Sequence, residues 1–97
     1  MNPAAAWLEF PVDHPALAGH FPGEPIVPGA LLLDEALHAV ARQGRRWRIA
    51  SVKFHRIVRP LEPLQLECLE GPAGDLQLTI RSAAGPAMTA LLEPASP

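Results

Sequence analysis

The chain has 97 residues, a net charge of −2 at pH 7, 48% hydrophobic residues and 19% charged residues. This length allows one domain, 1–97, and excludes a second, while the acidic balance and the small aromatic content argue against nucleic acid as a partner. A folded chain of this size hides only about 60–65% of its extendable surface, so a monomer would be marginally stable and we expect an oligomer.

Cysteine content and hydropathy exclude several kinds of protein. Cys68 is the only cysteine, which excludes an internal disulfide, and no cysteine–histidine cluster has zinc-site spacing, so we expect no metal. Apolar runs such as Ala30 to Leu33 are far too short to cross a membrane. A single thiol and the lack of an export signal favour a cytoplasmic protein.

The N-terminal part of the chain predicts one strand and one long loop. Residues 7–12, WLEFPV, predict a short strand near a sheet edge, because Pro11 cannot donate a ladder hydrogen bond. Residues 13–28 predict a loop that its prolines stiffen. Ordered loops of this length usually carry function.

A helix is predicted from Pro28–Gly29 to about Arg42, where the sequence RQGRR ends it. Apolar residues occupy nearly its whole circumference, namely Ala30, Leu31, Leu32, Leu33, Ala36, Leu37, Ala39, Val40 and Ala41. A helix that is apolar all round is buried on most sides, so we expect this one at the centre of the molecule.

Strands are predicted after the helix. Residues 48–58 place Ala50, Val52 and Phe54 on one face and lose phase near Ile57, which indicates a bulge there. The other predicted strands are 64–70, 76–82 and 87–93. Strands joined by short turns indicate an antiparallel meander with one apolar face. One buried helix wrapped by such a curved sheet is an α+β arrangement, the hot-dog fold.

Basic residues are concentrated in the middle of the chain. Seven of the eight lie between positions 42 and 59, and no Asp or Glu occurs between Glu35 and Glu62. Such a segment can steer an acidic partner to one face, although charge alone fits a solvated loop and strand face equally well. The candidate residues for an acidic partner are Arg45, Arg46, Arg48, Lys53, Arg56 and Arg59.

Two features of the helix start could support chemistry. Gly29 lies in the first turn, where unpaired N–H groups and the helix dipole can stabilise an oxyanion, although Pro–Gly can also simply begin a helix. Asp34 has apolar neighbours, which favour the neutral acid that a proton donor needs. The alternative is that Asp34 and Glu35 form an acidic pair facing solvent, which fits Glu35 better.

A histidine precedes the helix in the stiff loop. His20 lies between Gly19 and Phe21, and an imidazole titrates at about pH 6.5, so it is mostly the free base at neutral pH. A lone histidine is usually structural or merely exposed, and we interpret His14, His38 and His55 in that way.

The stretch GHFPGEPIVPGALLLDEAL, residues 19–37, resembles the signature of the 3-hydroxyacyl-[acyl-carrier-protein] dehydratases of the FabA/FabZ type. In that family a G-H-F-P-x-x-P-x-x-P-G loop leads into the central helix of a hot-dog fold. An acidic residue follows the histidine by fourteen positions, as Asp34 follows His20, and a glycine follows it by nine, as Gly29 does. The downstream VKFHRIVRPLEPLQLE is similar to the family's F-x-R-P-V-x-P-G-D segment.

The resemblance implies dehydration of (3R)-hydroxyacyl thioesters without a cofactor, the substrate being carried on the phosphopantetheine of an acyl carrier protein. It implies that His20 is the base, that the Gly29 N–H holds the thioester oxygen and that Asp34 protonates the departing hydroxyl. Each site would combine two subunits, most simply of a homodimer. An apolar tunnel would use Phe21, Val27, Pro28, Leu33 and Leu37, and the arginine-rich segment would meet the carrier protein.

The chain departs from the family pattern at three points. It is shorter than typical members, so we expect the N-terminal helix and first strand to be missing. Ile57 and Leu61–Glu62 replace a proline and Gly–Asp downstream, so we expect a remodelled turn. The acid is aspartate, as in the isomerase branch, while the loop is similar to the glutamate branch. Compact members of this kind resemble dehydratases of aryl-polyene or related polyketide pathways.

Two other functions fit the same residues. A hot-dog acyl thioesterase would use Asp34 to activate water against the thioester. A non-catalytic hot-dog subunit would bind a carrier protein or a partner chain, and it would need neither His20 nor Asp34.

Overall fold

The computed structural model describes residues 4–8, 10, 26–41 and 46–95, which form one helix and five strands. In chain order the elements are β1 (Ala4–Leu8), α1 (Gly29–Ala41), β2 (Trp47–Phe54), β3 (Leu64–Glu70), β4 (Leu76–Ser82) and β5 (Gly85–Pro94). The predictions for α1, β3 and β4 are confirmed almost to the residue, because apolar periodicity and turn residues agree there. Most of the predicted 13–28 loop lies outside the described residues.

The five strands form one antiparallel sheet in the order β1-β3-β4-β5-β2, so β1 and β2 are its two edges. The predicted N-terminal edge strand exists, but it lies at Ala4–Leu8 rather than 7–12. The expectation of a missing first strand is therefore wrong. Pairing with β3 makes a strand of the alanine-rich AAAWL, whose intrinsic β-propensity is low.

The core lies between α1 and one face of the sheet. Alternate side chains of the central strands are fully or almost fully buried, and Phe10, Val27 and Val58 extend the cluster. The buried strand residues are Leu64, Leu66, Leu76, Leu78, Ile80, Ala87, Met88, Ala90 and Leu92. Except at Ala87, where the register between β4 and β5 shifts, this period of two places one apolar face against the helix.

One stripe of α1 faces this core, and α1 contacts β4 and β5. Leu32, Ala36 and Val40, four residues apart, are buried. The opposite stripe, Ala30, Asp34 and His38, is exposed in the single chain. The prediction of a helix buried on most sides is thus wrong for one chain, because its single sheet covers one side of the helix.

Edge strand β2 contains the bulge that the sequence predicts, but at another position. The register shifts between Ile49 and Ser51, so the irregularity lies at Ala50 and not near Ile57. Ile49 rather than Ala50 therefore shares a face with Val52 and Phe54. Beyond β2 the chain keeps an extended course, and Val58 forms a bridge with Val27.

The turn at 59–62 contains the strained backbone of the fold. The Glu62 N–H donates to the Arg59 carbonyl at 3.3 Å, and Pro60 and Leu61 occupy the central positions. Leu61 has a φ of 67°, the left-handed region that a glycine favours. Leu61 therefore adopts a glycine-like backbone at a cost in strain, and the remodelling of this turn relative to the family stays a prediction.

Candidate functional site

An open apolar cavity of about 800 Å³ lies at the amino end of α1. One wall is the entry to the helix and the other is the chain segment that follows β2. Its lining residues are Ile26, Val27, Pro28, Gly29, Ala30, Leu32, Phe54, His55, Arg56 and Ile57. The volume is in the range of pockets that hold small organic ligands.

Gly29 lies close to the ring of Phe54 on the opposite wall. A Cβ built on Gly29 would lie 2.9 Å from Cε1 of Phe54, closer than real carbon atoms approach. The Pro28 carbonyl accepts from the Leu31 and Leu32 N–H groups, at 3.0 and 3.4 Å. The Gly29 and Ala30 N–H groups find no acceptor among the described residues. A helix amino end with such groups is a suitable site for a developing negative charge.

The wall after β2 is held at both ends by backbone hydrogen bonds. The His55 N–H donates to the Ala87 carbonyl at 2.8 Å, and the Val27 N–H donates to the Val58 carbonyl at 2.8 Å. His55 Nε2 also lies 2.9 Å from Oγ1 of Thr89. These bonds fix the segment relative to β5 on one side and to the helix entry on the other.

Arg56 forms a polar cluster behind the cavity. Its guanidinium donates to a carboxylate oxygen of Glu62, to the hydroxyl of Ser82 and, at 2.9 Å, to the carbonyl of Ile57. The other Glu62 oxygen accepts the Arg59 N–H at 3.1 Å. Burial acts most strongly on Glu62 and would raise its pKa, but the hydrogen bonds from Arg56 and Arg59 together hold the pKa below its usual range.

Of the three predicted catalytic residues, the structure describes Gly29 and Asp34 and does not bring these two to the same cavity. Gly29 lines the cavity, whereas Asp34 does not line it and is exposed on the outer stripe of α1. The expectation that apolar side chains surround Asp34 while Glu35 faces solvent is wrong for the single chain, in which Glu35 is the more buried of the two. Helical phase explains this, because Asp34 lies one turn after Ala30 and one turn before His38, on the exposed stripe of the helix. His20 lies outside the described residues.

The predicted tunnel residues separate into two groups. Val27 and Pro28 line the cavity. Leu33 and Leu37 are half-buried, pack against the core and do not line the cavity. Phe21 lies outside the described residues. The substrate-binding role of all five stays a prediction.

The predicted basic surface is not uniform. Arg46, Arg48, Lys53 and Arg59 are exposed, and Arg48 pairs with Glu93 at 3.2 Å. On β2, Arg48 and Lys53 lie on the face that points away from the helix. Arg56 differs, since Nη1 and Nη2 of its guanidinium donate within the polar cluster, and its assignment to carrier binding stays a prediction. Arg45 lies outside the described residues.

Several cavity residues were not among the predicted site residues. Phe54 is the last residue of β2, and His55 and Ile57 belong to the segment after it. Phe54 and Ile57 are large exposed hydrophobic residues. The sequence did contain a signal for them, because FHRIV lies within the segment that resembles the family. Only the tertiary structure, however, brings this stretch close to Gly29. Among the described residues there is no group of His, Cys, Asp and Glu side chains that could hold a metal ion. None of the described helices is long and apolar enough to cross a membrane.

Comparison with curated proteins finds relatives with a common function. The chain is 39% identical over 67 residues to the 3-hydroxyacyl-[acyl-carrier-protein] dehydratase FabZ of Thermomicrobium roseum, covering 58% of this chain and 45% of that protein. It is 42% identical over 76 residues to FabZ of an Anaeromyxobacter species, covering 63% and 48%. The chain thus spans about half the length of the curated relatives it matches.

Comparison with solved structures supports the fold. The dehydratase heterocomplex ApeI:P from Xenorhabdus doucetiae matches with a TM-score of 0.83 and 21% identity, covering 98% of this chain and 88% of that one. An uncharacterized protein from Erwinia carotovora subsp. atroseptica matches with a TM-score of 0.74 and 25% identity, covering 93% and 82%. The hot-dog prediction is therefore confirmed.

One protein-family model covers most of the chain. The model of the ApeI-like family, described as ApeI dehydratase, matches residues 2–90, which is most of the chain. The match includes both cavity walls and the whole of α1. The chain therefore belongs to the ApeI-like dehydratase family.

Proposed function

We propose that this chain, as a single domain over 1–97, dehydrates (3R)-hydroxyacyl thioesters of an acyl carrier protein to trans-2-enoyl thioesters. The observation that carries the proposal is the apolar cavity at the amino end of α1, with the Gly29 N–H on its wall. An acyl chain needs an apolar slot, and the enolate-like oxygen formed during elimination needs a hydrogen-bond donor. Membership in a dehydratase family supports the same reaction.

The reaction requires one base, one oxyanion donor and one acid. His20 removes the proton next to the thioester carbonyl, and the charge that moves onto the carbonyl oxygen is held at Gly29. Electrons then return to form the carbon–carbon double bond, and the 3-hydroxyl leaves as water with a proton from Asp34. No electrons are gained or lost overall, so the reaction needs no cofactor.

The position of Asp34 supports a site shared by two chains. Asp34 lies on the exposed stripe of its own helix and not on the wall of its own cavity. A second chain joined at the exposed edge strand β2 would cover apolar surface that includes Ile49 and Phe54. We propose a homodimer of this kind. The solved structure from Xenorhabdus doucetiae is described as a heterocomplex, so a different partner chain is the alternative.

The carrier protein is proposed to dock on the basic residues near β2. Arg46, Arg48 and Lys53 are exposed there and carry the charge that an acidic partner requires. The acyl group would then enter the cavity from the bound carrier. The reaction would serve fatty acid or polyketide biosynthesis, with an aryl-polyene pathway as one candidate.

Mass spectrometry of carrier-bound substrates tests the proposal. Aliphatic and aryl 3-hydroxyacyl carriers are incubated with the protein, and a loss of about 18 mass units, one water, is the expected result. Release of free carrier thiol would instead identify a thioesterase. If this chain by itself gives no reaction and an added partner chain restores dehydration, the chain is a non-catalytic subunit.

A further inference from the structure

The guanidinium of Arg56 joins three separate segments of the chain. It donates to Glu62 in the 59–62 turn, to Ser82 at the end of β4 and to the carbonyl of Ile57 in the cavity wall. The Ser82 hydroxyl also accepts the Ala84 N–H at 3.1 Å. One side chain therefore ties the cavity wall to the turn that follows it and to the β4–β5 hairpin.

These contacts are shielded from solvent. The side chains of Arg56 and Glu62 are each 26% exposed, and Ser82 is buried. A charge-assisted bond in such a place is stronger and better oriented than one on the surface. The other two ion pairs among the described residues, Arg48–Glu93 and Arg81–Glu67, are more exposed. The cluster is thus suited to fixing the position of the cavity wall relative to the 59–62 turn and β4.

The segment that Arg56 holds is connected directly to Gly29. Phe54 lies two residues before Arg56 and packs on Gly29, and Val58 lies two residues after it and accepts the Val27 N–H. The cavity wall thus contacts the helix entry on both sides of Arg56. A displacement of this wall would move the Gly29 N–H, because both contacts adjoin the helix entry.

We infer that Arg56 is a positioning residue for dehydration: its bonds to Glu62, Ser82 and Ile57 set the distance between the Gly29 N–H and the substrate carbonyl. This inference rests on the proposed function. It replaces the expectation that Arg56 meets the carrier protein. Arg56 acts through Val58 and Phe54, so its effect is on the transition state and not on substrate capture.

The test compares Arg56→Met and Arg56→Lys with Arg81→Met, which breaks an ion pair away from the cavity. Substrates are soluble 3-hydroxyacyl thioesters of a small thiol, so carrier docking plays no part. For Arg56→Met we expect kcat to fall at least tenfold with KM changed less than threefold. Arg56→Lys keeps the charge near Glu62 and should recover part of the loss. Arg81→Met should retain the kcat of the unaltered protein.

A second measurement does not depend on activity. Amide hydrogen exchange at Val27 and His55, whose N–H groups are hydrogen-bonded at the two ends of the cavity wall, should be faster in Arg56→Met and unchanged in Arg81→Met. If the unaltered protein dehydrates no substrate, the proposed function fails while exchange still decides whether Arg56 holds the helix entry. The inference would be overturned if exchange were unchanged in Arg56→Met and kcat fell equally in Arg56→Met and Arg81→Met.

A milder variant covers the case in which Arg56→Met does not fold. Glu62→Gln keeps a hydrogen-bond acceptor but removes the negative charge from the cluster. We expect a two- to tenfold fall of kcat with the same change in exchange at the helix entry. A folded Glu62→Gln protein with both quantities unchanged also contradicts the inference.

Discussion

The ring of Phe54 lies against Gly29 so closely that a Cβ at that position would stand 2.9 Å from Cε1 and 3.1 Å from Cζ. An edge-strand residue and the first residue of the helix therefore form one contact across the cavity. A helix start exposes its N–H groups whatever the residue, but only glycine allows the ring to approach this one. The neighbouring strand therefore requires a glycine at this position.

Replacing Gly29 with alanine should damage activity more than stability. The Phe54 ring is 51% exposed and can swing away, so we expect the free energy of unfolding to change by less than about 1 kcal/mol. The displaced ring and N–H should lower kcat/KM by about ten- to a hundredfold. Thioester kinetics and urea unfolding measure the two effects.

The double variant Gly29→Ala with Phe54→Leu tests whether the ring is the cause. A smaller side chain removes the collision, so the double variant should be more active than the product of the two single effects predicts. Simple multiplication of the two effects would show that the contact with Phe54 is irrelevant to the loss.

His20 and Asp34 should each be necessary for dehydration. We expect His20→Ala and Asp34→Asn to abolish turnover while the oligomer remains folded, as checked by size-exclusion chromatography. Glu35→Gln is the matched control, because it changes the adjacent carboxylate on the same helix and should retain activity. Full turnover in either site variant would refute the assigned roles.

Mixing the two inactive variants should restore activity if each site combines two chains. In a homodimer, half of the randomly assembled dimers are hybrids, and each hybrid holds one intact site, so about a quarter of the full activity should return after co-refolding. A site contained in one chain would give none.

Leu61→Gly should stabilise the protein. The left-handed backbone of Leu61 costs a non-glycine residue about 1–2 kcal/mol, and the side chain is 53% exposed, so little packing is lost. After the entropy cost of glycine in the unfolded chain, we expect a gain of about 0.5–1 kcal/mol in urea unfolding. The control is Leu69→Gly, in the exposed part of β3, which should destabilise by about 1 kcal/mol. Equal losses at both positions would contradict strain at Leu61.

Acidification should remove the stabilising contribution of Glu62. The pKa of Glu62 is lower in the folded chain than in the unfolded one, so its contribution is complete above the unfolded value of about 4.5. It decreases as the pH falls below that value and is lost once the pH passes through the lower folded pKa. The free energies of unfolding of the unaltered protein and of Glu62→Gln should therefore approach each other as the pH falls below the unfolded value. A difference that stays constant or grows on acidification would contradict this linkage.

Reversing charge on β2 should affect carrier-bound substrate alone. Arg48→Glu with Lys53→Glu should lower kcat/KM for acyl-carrier substrates by about tenfold at low salt, with less effect at high salt. Kinetics with a small-thiol thioester should be unchanged. Arg81→Glu, on the β3–β4 side, supplies a control for charge reversal away from β2, and an equal loss in it would argue against a docking face on β2.

Much of the fold follows from local sequence. The alternation in LQLECLE and LQLTIRS predicts β3 and β4, and the Pro–Gly start with its apolar run predicts α1, because each signal is local and free of competing signals. The predicted position of β1 is wrong because its pairing with β3, and not its own residues, makes it a strand. The predicted position of the bulge in β2 is wrong because the partner strand β5 sets the register.

The site divides in the same way. The sequence by itself determined a helix amino end with Gly29 and, by resemblance, predicted a site that uses His20 and Asp34. Tertiary structure alone decided that Phe54 packs on Gly29, that Leu61 adopts a glycine's backbone, and that Asp34 does not line its own cavity. The reason is physical: periodicity specifies which face of an element is apolar, whereas the surface that meets a face depends on contacts between residues far apart in the chain.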